Sequence, residues 1–393
     1  MTPIIISLFF IILIYLALYA YIKVTYQFWS YQPVFHVFNI YYWLFPPGII
    51  DKYPPEKNKF VNLNSVVTYD DLQDEHYSNA LQIIQNNYHR TKKSVYNPNI
   101  DSFKPYFIGN YDKCLFSFYQ QNIILTENND TLIPDVNNIA FISSRPLRAT
   151  IDNNNLNLYY VDYLCVDKKH RKSGIAPELI QTHVYNSWRK TNNCVVHLFK
   201  READLTGIVP ITIYYNYLFE ITKWKQPKKK QPTFNVFEIN SGNLSLLYDL
   251  TKKHLSNLFS ISILPEYSNI LELITTKNII VYCLTVNSTI VGFYFFRKTS
   301  TLYKNFNVFE CFSSVCTNKN FKTHFISGFH DAVFKLFKTE NFKYLIIENI
   351  SHNYFILEKI LETKTPTLTT PSAFYFYNFA YTPVSSINFF AIY

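Results

Sequence analysis

Apolar positions along the chain follow three patterns in turn. Residues 3–22, PIIISLFFIILIYLALYAYI, are apolar and uncharged; as a helix, about twenty such residues cover ~30 Å, the thickness of a bilayer core. An aromatic, proline-rich stretch then runs to about residue 60, with Trp43, Pro46-Pro47-Gly48 and Pro54-Pro55, and reads as extended, docked chain. From there helical and strand periods alternate. Residues 69–90 place Leu72, Tyr77, Ala80, Leu81, Ile84 and Tyr88 near helical spacing. Residues 105–144 read as short strands (KPYFIG, KCLFSFYQ, NIILTE, NIAFISS), followed by LYYVDYLCV, a basic loop, a helix to about Arg189, and the strand CVVHLF. After KQPKKKQP, a boundary near residue 230, a similar series follows: a helix over 243–259, the hairpin NIIVYCLTV/STIVGFYFFRKT, the strand VFECFSSV, a helix over 322–338, the strand KYLIIENI, a helix over 353–362, and the strand AFYFYNFAYTP. Each half thus runs helix, antiparallel strands, strand, helix, strand. This predicts α/β (α+β) structure in two halves, 24–228 and 229–393, with mostly antiparallel sheets, behind an anchor at 1–23.

Composition narrows the class. Of 393 residues, 48% are hydrophobic and 17% charged, which excludes a largely disordered chain. The abundance of Phe, Tyr, Ile, Asn and Lys fits an A/T-rich coding genome. A formal charge of +9 suits anionic partners: nucleic acid, a membrane surface or CoA phosphates. No nucleic-acid motif of defined spacing is present, and the densest basic run, Lys228-Lys229-Lys230, sits between prolines as a solvated loop. The six cysteines (Cys114, Cys165, Cys194, Cys283, Cys311, Cys316) are scattered through apolar runs without C-x-x-C or Cys/His clusters. They read as buried free thiols, and no metal site is expected.

The first run is either a signal peptide or an uncleaved anchor. A signal peptide wants a basic leader, a shorter apolar core and a small-x-small cleavage site. Here the leader has no charged side chain, and Ala17 and Ala20 are one residue out of step. Tyr15, Tyr19 and Tyr21 suit an interface, and Lys23 ends the run. An uncleaved anchor is therefore expected, and Lys23 puts the bulk of the chain on the cytosolic side.

The stretch 163–180, YLCVDKKHRKSGIAPELI, joins a strand to a helix through a basic turn. Pro177 at the first helical position and Glu178 after it are helix openers. Gly174 lets the turn curl its N–H groups toward the open helix end, and such a nest binds pyrophosphate. Lys168, Lys169, Arg171 and Lys172 raise the local potential. The spacing Arg171-x-x-Gly174-x-Ala176 resembles the acyl-CoA turn of the GCN5-related acetyltransferase superfamily.

Four stretches together resemble one family within it. "YQFWSYQPV" (26–34), "AFISSRP" (140–146), "YLCVDKKHRKSGIAPELI" (163–180) and "FYFYNFAYTPVSSINFFAIY" (374–393) are similar, in order and at about the right spacing, to motifs of the glycylpeptide N-myristoyltransferases. That family fuses two acetyltransferase-like halves and transfers myristate from myristoyl-CoA, a co-substrate, to an N-terminal glycine amine. The resemblance implies contacts to myristoyl-CoA from Gln27, Phe28 and Trp29. It implies an oxyanion hole from the backbone N–H groups of Tyr163 and Leu164, which a bulged strand end would aim. It implies a CoA-phosphate turn of Val166, Arg171, Lys172, Ser173, Gly174, Ile175 and Ala176. The family's base is its C-terminal α-carboxylate, here that of Tyr393, and the apolar tail SSINFFAIY fits a buried end, which would raise that group's pKa. Tyr88, Tyr214 and Asn216 fall near its peptide-binding positions. Implied partners are myristoyl-CoA, proteins with N-terminal glycine and the membrane through 3–22, with a monomer expected.

The chain also departs from the family. Asp162 stands where the family has Asn beside the amine, and a carboxylate there could hold the ammonium or assist its deprotonation. Leu198 aligns with a Thr. His89-Arg90-Thr91-Lys92-Lys93 replaces an acidic run, which favours acidic over basic peptides. Three functions follow: an active N-myristoyltransferase, an inactive scaffold that binds acyl-CoA or peptide, or an acyltransferase for another chain or acceptor.

Overall fold

The computed structural model describes residues 2–88, 91–126, 132–191, 195–202, 207–225 and 234–393. The boundary expected near residue 230, Cys194, and the His89-Arg90 part of the basic run lie outside these residues.

Helix α1 (Thr2–Thr25) is a 24-residue apolar rod, long and apolar enough to cross a bilayer. Its last turn docks on the body: Ile22 is buried and packs on Gly207, where even a Cβ would meet it at 2.9 Å. The stretch that follows is mostly irregular, as its prolines dictate. One short helix, α2 (Ile40–Leu44), departs from the extended expectation, because the Asn39 side chain accepts the Tyr42 N–H at 3.3 Å and caps it. Strand β1 (Gly48–Ile49) follows.

The first half then contributes β2 (Val66–Tyr69), α3 (Asp74–Asn87), β3 (Ser94–Tyr96), α4 (Ile100–Phe103), β4 (Leu115–Thr126), β5 (Leu132–Ile151), β6 (Asn154–Val166), α5 (Ile175–Lys190), β7 (His197–Glu202) and β8 (Thr212–Glu220). The second contributes β9 (Phe234–Glu238), α6 (Ser245–Lys253), α7 (Leu255–Leu258), β10 (Ile261–Leu264), α8 (Tyr267–Thr275), β11 (Ile279–Val286), β12 (Thr289–Tyr303), β13 (Phe306–Cys316), α9 (Lys322–Thr339), β14 (Tyr344–Glu348), α10 (Asn353–Leu361), β15 (Leu368–Tyr377), β16 (Phe379–Ala380) and β17 (Phe389–Ala391).

Among the described residues, 15 strands form one mixed, mainly antiparallel sheet. Its path runs β17-β10-β5-β6-β7-β15-β8-β14-β13-β12-β11-β9. Two crossovers echo each other. Helix α5 connects the parallel pair β6 and β7, and α9 connects the parallel pair β13 and β14. In each case an antiparallel ladder leads into the crossover. The halves interlock, since β15 lies between β7 and β8 and β10 pairs with β5. Strand β17 adds in parallel to β10, and Ile392 and Tyr393 after it are buried.

Several local expectations need correction. KPYFIG is not a strand: Lys104–Phe107 is a 3-10 turn, because Pro105 cannot donate to a ladder and its neighbours Phe103 and Phe107 pack inward on Tyr163 and Phe116. KCLFSFYQ and NIILTE are one strand, β4, with a register shift between Tyr119 and Gln120 in place of the expected break. Helix α5 starts two residues earlier than expected, so Pro177 is its third residue, still within the turn whose N–H groups need no helical partner.

Helix α5 packs on the sheet through Ile175, Leu179 and Val184. Its buried polar side is satisfied by His183, whose ring nitrogens lie 2.8 Å from Ser117 Oγ and 2.8 Å from Ser144 Oγ. Burial lowers this imidazole to about 3, so it is neutral.

Candidate active site

The site begins with a defect in the β5–β6 ladder. Ser143 faces Asp162 and Phe141 faces Cys165, so two residues, Tyr163 and Leu164, stand opposite Ile142 alone. This is a β-bulge. Tyr163 takes the left-handed conformation, φ +54°, which is uncommon for a bulky residue and persists only where the surroundings enforce it. They do: its ring is buried 4.9 Å from that of Phe103, and Tyr96 Oη donates to Tyr163 Oη at 3.3 Å. Leu164 is turned outward and exposed.

Beside the bulge opens a cleft of about 370 Å³. It gathers Tyr88, Asp162, Tyr163, Asn216 and Tyr393, five of the residues singled out in the sequence, from the end of α3, β6, β8 and the segment after β17. Tyr214 is buried beneath, stacked on Phe374 with centroids 6.0 Å apart. Leu198 does not reach the cleft: it is fully buried in the core, on β7 between Tyr160 and Phe376. Burial pushes the phenols of Tyr88, Tyr160 and Tyr163 well above their usual range, so they serve as neutral groups.

Tyr393 is held by a buried ionic cluster that sequence reasoning missed. Lys200 Nζ lies 2.8 Å from Glu348 Oε1, and Arg297 Nε lies 2.6 Å from Glu310 Oε2. The Tyr393 hydroxyl joins the two pairs. It accepts from Lys200 Nζ at 3.0 Å and from Arg297 Nη2 at 2.6 Å, and donates to Glu348 Oε1 at 2.9 Å. Arg297 Nη1 also donates to the main-chain oxygen of Tyr393 at 3.1 Å. Burial raises the Glu348 carboxyl; for Glu310 burial pushes the same way, but Arg297 and Lys200 outweigh it and hold the group below its usual value.

A second, looser arrangement lies across the cleft. Burial raises the Asp162 carboxyl, against the pull of Arg145, Arg297 and Lys200 and of the Tyr163 backbone N–H. Arg145 is itself buried, with its guanidinium 5.2 Å from the Tyr106 ring centre and 5.3 Å from that of Tyr160. Its three nitrogens have no hydrogen-bond partner among the described residues. It therefore acts on Asp162 through space.

On the other side of β6, the loop from Asp167 to Gly174 leads into α5. Gly174 caps the helix at φ +86° and has open space where a Cβ would stand. Lys172, Ser173 and Gly174 are exposed, Val166 and Ala176 are half-buried, and Ile175 is buried. Arg171 differs in role from its neighbours: Nη2 donates to Asn87 O at 2.7 Å and Nε to Val166 O at 3.3 Å, so it ties the loop to the end of α3. The N-terminal segment comes alongside. Phe28 meets Phe60 at 5.3 Å, and Asn62 donates to Glu178 in the first turn of α5 at 2.7 Å. Trp29 stacks on Phe199 at 5.8 Å, and Gln27 is exposed. Among the described residues, no three His, Cys, Asp or Glu side chains gather as metal ligands would. Cys114, Cys165, Cys283, Cys311 and Cys316 are buried free thiols.

The signal for the missed residues was present. Glu310 and Glu348 are lone charges in apolar strands, and Lys200 and Arg297 are the first charges after apolar runs; such charges are rarely buried unless paired. Their partners, however, depend on a sheet order that no local pattern encodes.

Comparison with known proteins agrees with this architecture. Residues 52–193 match the family described as Myristoyl-CoA:protein N-myristoyltransferase, N-terminal domain. A search of curated protein sequences gives no match. Among solved structures, Saccharomyces cerevisiae N-myristoyltransferase with bound myristoyl-CoA superimposes with a TM-score of 0.71 at 15% identity, over 92% of this chain and 90% of that one. A second crystal structure of the yeast enzyme with bound myristoyl-CoA gives 0.68 at 14% identity, over 92% and 94%. The chain has the N-myristoyltransferase fold along nearly its whole length, and residues 52–193 carry that family's sequence pattern as well.

Proposed function

We propose that this protein belongs to the N-myristoyltransferase family and moves myristate from myristoyl-CoA to the α-amine of an N-terminal glycine. The observation that carries this is the meeting, in one cleft, of the β6 bulge at Tyr163, the carboxylate of Asp162 and the last residue, Tyr393. Acyl-CoA binds first. Its phosphates lie on the turn Lys172–Ala176 and the open N-terminus of α5, against the segment Gln27–Trp29. The thioester carbonyl points at the bulge, where the N–H groups of Tyr163 and Leu164 receive the developing oxyanion, each such donor being worth ~3 kcal/mol in the transition state. Asp162 holds the ammonium, and the α-carboxylate of Tyr393 takes its proton. The freed amine attacks the thioester carbon. The tetrahedral intermediate then collapses to the amide, expelling the CoA thiolate, which takes up the second proton lost from the amine nitrogen. Tyr88 and Asn216 line the path of the peptide. Lys92 and Lys93, at an adjoining cleft with Lys304, favour acidic residues further along it. Helix α1 anchors the enzyme, with the catalytic part in the cytosol.

A second reading has one observation in its favour. The hydrogen bond from Arg297 to the Tyr393 carboxyl stabilises its charged form and weakens it as a base, which suits a protein that binds acyl-CoA without turnover. One extra residue after Tyr393 separates the two. The active-enzyme reading expects glycine-peptide acylation to vanish while myristoyl-CoA binding, followed by calorimetry, persists. Full turnover by the extended chain would exclude the carboxylate as base, and binding without product by the unextended chain would favour the second reading.

A further inference from the structure

Between Thr2 and Ile50 the chain has a single permanently charged side chain, Lys23. The one other titratable candidate for charge near neutrality, His36, is buried, and that burial disfavours its charged form. Helix α1 accounts for the first half of this uncharged stretch. The second half is not all core. Helix α2 and the next residue hold Ile40, Tyr41, Trp43, Leu44 and Phe45 outward, between 46% (Trp43) and 67% (Leu44) exposed. Five large apolar side chains in six consecutive positions form a patch of the kind that marks an interaction surface.

Its position says which surface. The Tyr19 ring packs edge-on against the Phe38 ring, with centroids 5.0 Å apart. Tyr19 lies one turn before Lys23, about 6 Å back along α1. The loop leading into α2 therefore reaches back past the level of Lys23 toward the apolar rod. Lys23 sits as a boundary cation: its Nζ donates to Ser30 O at 3.2 Å and lies 5.0 Å from the Tyr31 ring centre and 5.7 Å from that of Tyr19. The geometry is fixed, because Gly207 holds both pieces: Ile22 of α1 packs on it, and its carbonyl accepts the Val37 N–H at 3.1 Å. Trp43 keeps a polar handle satisfied, its indole N–H donating to Val37 O at 3.1 Å, as suits a ring at a lipid–water boundary.

We infer that residues 40–45 form a second, interfacial membrane contact, which lies in the bilayer surface beside α1 and holds the cleft-bearing body against the membrane. The inference rests on α1 being a membrane span and not on acyl transfer. Its occupant is phospholipid: the patch continues an apolar rod of bilayer length, carries no charge, and its Trp43 is tied through Val37 and Gly207 to Ile22, next to the boundary lysine.

The test uses the full chain reconstituted in phosphatidylcholine vesicles whose acyl chains are brominated near the headgroup. Trp43 emission is taken as the difference between the native chain and Trp43→Phe. The expected result is quenching of that component by brominated lipid, with protection from aqueous acrylamide, and loss of both effects when Leu44 and Phe45 are replaced by Asp. Both replaced side chains are exposed, so the fold is retained. Trp43 open to acrylamide and untouched by brominated lipid would overturn the inference. Protection from both quenchers would overturn it too, in favour of a second copy or another protein on the patch. Release of the chain by alkaline carbonate would remove the span on which it rests. None of these outcomes depends on turnover, so they are independent of the proposed reaction.

Discussion

Breaking the pair of Lys200 and Glu348 offers a quantitative check on the buried cluster that seats Tyr393. Their charged atoms are 2.8 Å apart, with side chains 11% and 0% exposed. Removing one partner of a buried ion pair costs about 3–5 kcal/mol, since the other charge is left uncompensated. Glu348 keeps Arg297 Nη2 at 3.4 Å and the Tyr393 hydroxyl at 2.9 Å, so Lys200→Met falls at the lower end, ~3 kcal/mol. Glu348→Gln strands Lys200 and should cost about the same. The double variant buries neither charge. It should lose about as much as either single one, giving a coupling energy of about 2–3 kcal/mol. Urea denaturation of the four proteins at pH 7, in one detergent, measures the cycle. Because Lys200 Nζ also donates to the Tyr393 hydroxyl, Lys200→Met should lower kcat for acyl transfer while leaving myristoyl-CoA affinity unchanged. Losses that add to within about 0.5 kcal/mol would refute the reasoning, because the pair would then not be coupled.

Other expectations follow from single positions. Asp162 has a folded-state pKa raised by burial. Its contribution to stability is full below the unfolded value and is lost as pH rises through the folded one, so Asp162→Asn should match or exceed the native melting temperature at pH 8, more so than at pH 5, while losing activity. A lower melting temperature at both pH values would contradict this. His183 and His197 are lowered by burial to about 3 and about 4. Stability should therefore fall as pH drops from about 6.5 toward 4, by ~3 kcal/mol for His197 alone, and His197→Asn should flatten the acid limb of a urea-midpoint-against-pH curve. Gly292 and Gly174 should differ. A Cβ on Gly292 meets the Val315 carbonyl at 2.6 Å, so Gly292→Ala should cost ~2 kcal/mol or more. Gly174→Ala meets nothing and should cost only the left-handed backbone penalty, about 1 kcal/mol. Equal urea midpoints for the two variants would count against the packing described.

What the sequence disclosed follows the range of each interaction. Helices α3, α5, α9 and α10 were legible because their apolar stripes are local. The β11–β12 hairpin was legible as the two apolar runs NIIVYCLTV and STIVGFYFFRKT; the turn between the strands, Asn287-Ser288, takes positive φ at both residues. Pairings set by the whole sheet left no local trace. Nothing in AFYFYNFAYTP says that β15 lies between β7 and β8, and the period-two strand β8 passed unread. The same division holds at the site. The Gly174 turn could be argued from residue chemistry, and Tyr163, Asp162 and Tyr393 from resemblance. Arg145 and the partners of Lys200, Arg297, Glu310 and Glu348 needed the fold, because strands distant in sequence bring them together.

The most direct test of the central claim is acyl transfer itself. The full chain, in detergent and ending at Tyr393, is mixed with labelled myristoyl-CoA and a pool of peptides that begin with glycine, alongside the same peptides N-acetylated, and products are followed by mass. The account predicts label on the free glycine amines alone, with acidic peptides ahead of basic ones. Bound myristoyl-CoA with no labelled peptide, or label on the blocked peptides as well, would contradict it.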